Sequence, residues 1–155
     1  MSRRISTQKR FPEKDFKYDN LLVSLLINRI LKSGKKRLAR RIVYKAFALI
    51  ELRTNQNPIL ILEKAIRNIS PRVQLKAKRV GGATYQVPTL LNKYRATNIA
   101  VRWIVEFSKK RSGKGMYLKL ANELLEAAKG LGNAIKKKEE THKMAEANKA
   151  FAQFR

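Results

Sequence analysis

Basic side chains spaced four residues apart are the groups in this sequence best suited to chemistry, and that chemistry is phosphate binding. Arg37, Arg41 and Lys45 would stack on one face of a helix that contains them. Like charges at this spacing destabilise a helix unless something anionic neutralises them. The pattern therefore indicates a surface that binds a polyanion.

The overall charge supports the same interpretation. The 155 residues include 36 Lys or Arg and 11 Asp or Glu, which gives a formal net charge of +25. Residues 20–50 hold eight basic side chains without an acid, and residues 64–105 hold nine. A merely solvated surface usually mixes both signs, so these spans favour binding to nucleic acid. Because 44% of the residues are hydrophobic, we expect one folded basic domain rather than a disordered polycation.

Arrangements that could support catalysis or bind a cofactor fail at neighbouring positions. Gly34-Lys35 lacks the earlier Gly and the following Ser or Thr that a phosphate-binding loop needs. The two glutamates beside His142 resemble an acid/base cluster, but Glu139 and Lys143 form an ordinary i,i+4 pair on a helix. The chain has no Cys and a single His, too few for a histidine or thiolate metal site. We therefore expect no catalytic residue, no metal and no cofactor.

The elements that would position the basic residues are mainly helices. Apolar residues recur at helical spacing, and Asn57-Pro58 is typical of a helix start, because Asn caps and Pro suits the first position. The predicted helices are 20–32, 35–53, 57–69, 94–110, 116–129 and 134–149. The predicted core stripe of the second helix is Leu38, Ile42, Ala46 and Leu49. Residues 1–18 form a basic N-terminal arm, which we expect only a partner to order, and residues 19–155 form one helical domain.

Residues 72–90 break the helical pattern, because apolar and polar residues alternate on both sides of Gly81-Gly82. This pattern predicts a two-stranded β-ribbon with the glycines as its turn. The predicted pairs are Val80 with Ala83, Lys78 with Tyr85, and Lys76 with Val87. The ribbon is either a protruding finger that lies along a nucleic-acid backbone or a minor sheet packed on the helices.

Several longer stretches resemble the small-subunit ribosomal protein S-seven family, in its bacterial and chloroplast branch. They include Asn20-Leu-Leu-Val-Ser-Leu-Leu-Ile27, Gly34-Lys35-Lys36, Ile42-Val43-Tyr44-Lys45-Ala46, Lys78 to Pro88, Arg102-Trp103 and Lys137 to Ala152. The resemblance extends over essentially the whole chain, and long ungapped motifs are far more specific than one short pattern. It implies a mainly α fold of about six helices with a protruding β-ribbon.

The resemblance also implies a function. Such a protein binds the 3′ major domain of small-subunit rRNA directly and starts assembly of the head, near the mRNA exit and the exit-site tRNA. Its partners are rRNA and other small-subunit proteins, with mRNA and tRNA nearby, and we expect no membrane partner and no homo-oligomer. The ending Glu139-Glu140-Thr141-His142, with Phe154-Arg155, is similar to the chloroplast form. Met1 without a transit peptide then suggests a plastid-made protein in the stroma, with the bacterial cytoplasm as the alternative.

We expect RNA contacts in three patches. The first is the arm, with Arg3 and Arg4. The second is the loop and start of the second helix, with Lys35, Lys36, Arg37 and Arg41. The third is the ribbon, the helix after it and the basic loop that follows, with Lys76, Lys78, Arg79, Arg95, Arg102, Lys109, Lys110, Arg111 and Lys114.

An architectural DNA-binding protein is the alternative function. It would share the high positive charge, and a basic β-ribbon arm suits minor-groove binding. Such a protein is expected to be a symmetric dimer with two arms, whereas a ribosomal protein should sediment as a monomer or with ribosomes.

Overall fold

The computed structural model describes residues 11–154, so Arg3 and Arg4 lie outside the described residues. Six α-helices and one antiparallel β-ribbon make up this part of the chain, which confirms the predicted mainly α fold with a ribbon. The helices are α1 (Leu21–Ile30), α2 (Lys36–Thr54), α3 (Pro58–Ile69), α4 (Lys93–Lys110), α5 (Met116–Ala128) and α6 (Asn133–Ala147). The strands are β1 (Val73–Val80) and β2 (Ala83–Leu90), and a 3-10 helix covers Lys149–Phe154.

Asparagine caps begin three of the helices. The Asn57 side chain accepts the N–H of Ile59 at 2.9 Å, and Pro58 occupies the first position of α3, which confirms the predicted start. Asn20 caps α1 and Asn92 caps α4 in the same way. Each cap satisfies a backbone N–H that lacks a partner inside its helix, which contributes about 1 kcal/mol.

The core is built around α5, which packs against α2, α3 and α4. Leu120 and Leu124 on its inner face are fully buried. The short apolar helix α1 packs against α2 and α4 and buries Leu26 completely. Burying each such side chain stabilises the fold by roughly 1.5–3 kcal/mol, so the helices form a rigid frame for whatever lies on their outer faces.

The buried face of α2 lies one residue further along than the sequence predicted. It consists of Ala39, Val43, Ala46, Phe47 and Ile50. The prediction was wrong for Leu38, which is 50% exposed. Two adjacent apolar stripes share the same spacing on α2, and only packing against α1 and α5 decides which of them is buried. With this face buried, Arg37 and Arg41 lie on the outer face of α2.

The ribbon has the predicted register. Val80 pairs with Ala83, Lys78 with Tyr85 and Lys76 with Val87. Gly81 and Gly82 form the turn with φ of 57° and 90°, left-handed values that glycine adopts at little cost. β1 packs against α6 and β2 against the 3-10 helix, so part of the ribbon rests on the fold while Arg79 and the turn are exposed.

Residues 15–18 are folded against the helical core. The Tyr18 ring packs edge-on against Tyr44 and Phe47, with centroid distances of 5.7 and 5.3 Å. The sequence predicted an arm through residue 18 that only a partner would order, but it did not reveal this contact. The contact depends on aromatic partners about 26 to 29 residues away in the chain.

Candidate nucleic-acid interface

The outer side of α2 carries a cluster of four basic residues, which we call the α2 face. The cluster is Arg37, Arg40, Arg41 and Lys45, which line a shallow open depression with Tyr44 and Ala48. Within residues 11–154, the three arginines form no ion pair. Their guanidinium groups, with donors arranged in a planar fork, are therefore free to bind phosphate oxygens.

Tyr44 attaches the turn before α1 to the α2 face. Its hydroxyl donates to the Asp15 carboxylate at 2.9 Å from each oxygen, and Asp15 is only 4% exposed. The same carboxylate accepts the backbone N–H groups of Lys17 and Tyr18 at 3.2 and 3.3 Å. Burial and the hydrogen bond to Asp15 raise the pKa of Tyr44, and the charge of Arg40 opposes the rise. Asp15 is thus satisfied inside the fold, and the depression stays basic.

The loop between α1 and α2 meets the end of α4. Lys35 at the end of this loop and Lys36 at the start of α2 are exposed. Lys35 lines a second depression together with Lys109 from α4, over an apolar floor that includes Leu38 and Met116. The sequence predicted Lys35 and Lys109 in separate patches, and the fold brings them to one surface.

Arg111 lies at the same loop but is bound within the protein. Its Nε donates to Glu123 Oε2 at 2.5 Å, and its two terminal nitrogens donate to the Glu126 carboxylate. The Arg111 side chain is 20% exposed and the Glu123 side chain is fully buried. The hydrogen bond to Glu126 is the main reason that the pKa of Arg111 is raised and that of Glu126 is lowered.

This ion cluster changes the role of Arg111. The sequence predicted an RNA contact there, but the guanidinium already has two carboxylate partners, and moving it to a phosphate would leave Glu123 buried without a cation. We therefore assign Arg111 a structural role and remove it from the proposed contacts. The same cluster joins the start of the α4–α5 loop to α5. This connection fixes the end of α4 and the loop, which carry the exposed Lys109 and Lys114.

Lys110 forms a weaker ion pair than Arg111. Its Nζ lies 2.8 Å from a Glu106 carboxylate oxygen one turn earlier, and both side chains are about half exposed or more. Exposed pairs of this kind contribute little, so Lys110 can exchange Glu106 for a phosphate at small cost.

The ribbon presents basic residues on both faces. Lys76 and Lys78 share one face with Tyr85, as the alternation predicted. On that face the Tyr85 ring packs on Phe151, with centroids 5.0 Å apart, and Val87 is 2% exposed. Arg79 lies on the opposite face, near the turn. The 3-10 helix thus supports the first face, along which Lys76 and Lys78 remain exposed.

Side-chain hydrogen bonds hold the base of the ribbon. Arg95 Nε on α4 donates to Gln74 Oε1 at 3.2 Å. His142 Nε2 accepts the backbone N–H of Arg72 at 3.1 Å, and its pKa is lowered by burial and by nearby cations. His142 therefore positions the ribbon, a role that the sequence did not reveal. Arg95 connects the ribbon to α4, where Arg102 is exposed about 10 Å further along the helix.

Sequence reasoning also missed residues close to the α2 face. Lys45 belonged to the predicted basic stripe and Arg40 widened it, but neither was among the predicted RNA contacts, although their spacing in the helix was a usable signal. Lys17 was missed because its position depends on the turn, where its Nζ lies 5.4 Å from the centre of the Tyr44 ring. Phe16 was missed too, although an aromatic residue with lysines one and two positions away (Lys17 and Lys14) is a recognisable pattern.

The described part of the chain has neither a cluster of metal ligands nor a membrane-spanning helix. Residues 11–154 contain no group of three or more His, Cys, Asp or Glu side chains that could hold a metal ion. None of the helices among these residues is long and apolar enough to cross a membrane.

Comparisons with known proteins place these observations in a family. The family model described as "Ribosomal protein S7p/S5e" matches residues 1–149. The "Small ribosomal subunit protein uS7c" of Trieres chinensis is 57% identical over 144 residues, covering 93% of this chain and 91% of that protein. The "Small ribosomal subunit protein uS7" of Acaryochloris marina is 55% identical over 155 residues, and that of Synechococcus elongatus is 53% identical. Both alignments cover 100% of this chain and 99% of the relative.

Proposed function

The chain belongs to the Ribosomal protein S7p/S5e family, and we propose that it binds the 3′ major domain of small-subunit rRNA directly and nucleates head assembly. The family is a structural, non-enzymatic component of the ribosome, and the relatives are named as small-subunit proteins. The observation that supports rRNA binding best is the α2 face, where three arginines have no carboxylate partner within residues 11–154.

Phosphate contacts supply most of the affinity in this proposal. Lysines and arginines replace the counterions condensed on the RNA, and the release of those counterions drives binding. The cations lie on the α2 face, the α1–α2 loop, the α4–α5 loop and the ribbon, which are fixed to one helical core. Rigid spacing of several basic surfaces favours recognition of RNA shape rather than a base code.

We further propose where the protein acts. The ribbon reaches toward the mRNA exit and the exit-site tRNA, and the other contacts are rRNA and neighbouring small-subunit proteins. The protein acts in the chloroplast stroma or in a bacterial cytoplasm. The uS7c relative of Trieres chinensis supports the first location, and the relatives of Acaryochloris marina and Synechococcus elongatus support the second.

Filter binding over a salt series tests the proposal. If about ten phosphates are neutralised, the logarithm of the affinity for a head-domain rRNA fragment should fall against log salt with a slope of about −7 to −9. An unrelated RNA duplex and a DNA duplex of equal length serve as controls. Equal affinity for all three nucleic acids would contradict specific rRNA binding, and tighter binding to the DNA by a dimer would support the architectural alternative.

A further inference from the structure

Phe16 is an exposed aromatic residue in a folded turn. It is 95% exposed, whereas Phe47 is fully buried and the partly exposed Phe11 packs its ring on Tyr94 at 5.1 Å. Single exposed apolar side chains are common on protein surfaces. Phe16 differs from them in the rigidity of its backbone and in the charges around it.

The turn that carries Phe16 is anchored on both sides. The preceding residue, Asp15, is buried and accepts the Tyr44 hydroxyl and two backbone N–H groups. Its carbonyl oxygen also accepts the N–H of Asp19 at 2.8 Å. Two residues after Phe16, the Tyr18 ring packs on Tyr44 and Phe47. The Phe16 ring therefore stands on a preorganised support, so a ligand that covers it would lose little entropy in ordering the backbone.

Lys14, Lys17 and the cations of the α2 face lie near this turn. Lys17 Nζ lies over the Tyr18 and Tyr44 rings at 5.3 and 5.4 Å, and Tyr44 lines the depression of the α2 face. Lys14 is exposed on the other side, 3.1 Å from an Asp19 carboxylate oxygen. Of the acids in the turn, Asp15 is buried, Asp19 is paired, and Glu13 is exposed. An aromatic face next to several cations matches a nucleotide, which offers a base to stack and phosphates to bind.

We propose that Phe16 is a stacking platform for an unpaired base of the rRNA, with the neighbouring phosphates held by Lys17 and the α2 face. This inference rests on the proposed function and adds a base contact to it. Unpaired bases of folded RNA commonly stack on aromatic side chains. Lys17 follows Phe16 directly and Lys14 lies two residues before it. Because lysine is depleted at protein–protein contacts, RNA is a better match than an apolar protein surface.

Three substitutions of Phe16 test the proposal against the head-domain rRNA fragment. Phe16→Ala should weaken binding by about 5-fold to 150-fold, because it removes the stacked ring. Phe16→Leu should lose most of that affinity, since it keeps the apolar bulk but not the ring. Phe16→Trp should retain affinity, and its fluorescence, after subtraction of the Trp103 signal from the unchanged chain, should be quenched when RNA binds.

Two comparisons make the test specific. Phe16→Ala should lower affinity without changing the salt slope, because stacking releases no counterions. Leu60→Ala serves as the matched control, since Leu60 is 62% exposed and no Lys or Arg lies within three residues of it in the sequence, and it should leave affinity unchanged. The melting temperature should not move in any Phe16 variant, because the ring packs on almost nothing.

The outcomes separate this inference from the function on which it rests. If the unchanged chain binds head rRNA specifically and Phe16→Ala binds equally well, the stacking platform is wrong while the function stands. If Phe16→Leu binds as well as the unchanged chain, the aromatic ring is not needed and the inference is overturned. It is also overturned if Phe16→Ala loses affinity only when other ribosomal proteins are present, because the ring then contacts protein. Failure of the unchanged chain to prefer head rRNA would overturn both.

Discussion

The α2 face and the end of α4 carry the same kind of side chain in opposite surroundings. Arg41 is exposed among other cations and forms no ion pair within residues 11–154. Arg111 is one-fifth exposed and holds two carboxylates, one of them fully buried. The excess positive charge is therefore divided between cations that pair with carboxylates inside the fold and cations that have no carboxylate partner within residues 11–154.

The position of the acids in the sequence separates these two kinds of cation. Residues 20–50 contain eight basic residues and no acid, and none of the eight forms an ion pair with another residue of the described part of the chain. Lys110 and Arg111 lie outside both acid-free spans, and both pair with glutamates. A cation far from acids in the sequence is thus the better candidate for a phosphate contact in this protein.

Replacing Arg111 should give the largest effect on stability. Arg111→Ala leaves Glu123 buried without a cation, so we expect the free energy of unfolding to fall by about 3 kcal/mol. For a chain of this length that corresponds to a melting temperature lower by roughly 6–12 °C. Thermal unfolding followed by circular dichroism measures it, and the salt slope of RNA binding by the folded fraction should not change.

Lys110→Ala is the matched control for Arg111→Ala, because the two residues are adjacent. Its pair with Glu106 is exposed, so the loss should stay within about 0.5 kcal/mol. A stable Arg111→Ala protein with a reduced salt slope would show that Arg111 contacts phosphate and would reverse the distinction between the two regions.

Neutralising the α2 face should have the opposite effect, weakening RNA binding while leaving stability unchanged or slightly higher. In the double variant Arg37→Gln and Arg41→Gln, the salt slope should become less steep by about 1.5, and affinity should fall roughly tenfold. Stability should hold or rise slightly, since like charges four residues apart cost about 0.2–0.5 kcal/mol. Filter binding and thermal unfolding of the same preparations measure both quantities.

Lys137→Gln provides the control for the α2 variant. Lys137 already lies 3.1 Å from a Glu140 carboxylate oxygen, and it is not among the proposed contacts, so its removal should leave the slope unchanged. If Lys137→Gln lowered the slope as much as a change at Arg41, net charge rather than the α2 face would govern binding.

Local patterns were enough to predict much of the fold. The ribbon register followed from alternation around Gly81-Gly82, because a shift of one residue would turn every side chain to the other face. The start of α3 followed from Asn57-Pro58. The basic stripe of α2 also followed from spacing alone, since it needs only a helix to bring its members together.

Features that depend on distant contacts could not be predicted in this way. The buried face of α2 is set by packing, which is why Leu38 was assigned to the wrong side. The partners of Arg111 are 12 and 15 residues away, across a loop whose path the sequence does not specify. Asp15 and Tyr44 are 29 residues apart, so the sequence did not reveal their hydrogen bond, and residues 15–18 were predicted as part of an arm that only a partner would order.

The smallest expected effect concerns acid pH and the Glu126 side of the ion cluster. The hydrogen bond to Arg111 lowers the pKa of Glu126 below its usual value, although burial opposes this shift. The unfolded chain therefore binds a proton at higher pH than the folded chain, so the stabilisation is present above the unfolded pKa and is lost as pH falls through the folded one. Because Glu126 is 43% exposed, we expect less than about 1 kcal/mol.

Glu126→Gln, which cannot ionise, makes this loss measurable. Its melting temperature should lie a few degrees below that of the unchanged chain near neutral pH, roughly 1–3 °C, and the gap should close in acid. For Arg41→Gln, the difference in melting temperature from the unchanged chain should be the same at neutral and acid pH, since Arg41 has no carboxylate partner within residues 11–154. If the melting-temperature difference for Glu126→Gln stayed constant from neutral to acid pH, Glu126 would stabilise the fold by packing rather than by charge. Glu123 would then be the only carboxylate that stabilises Arg111 by ion pairing.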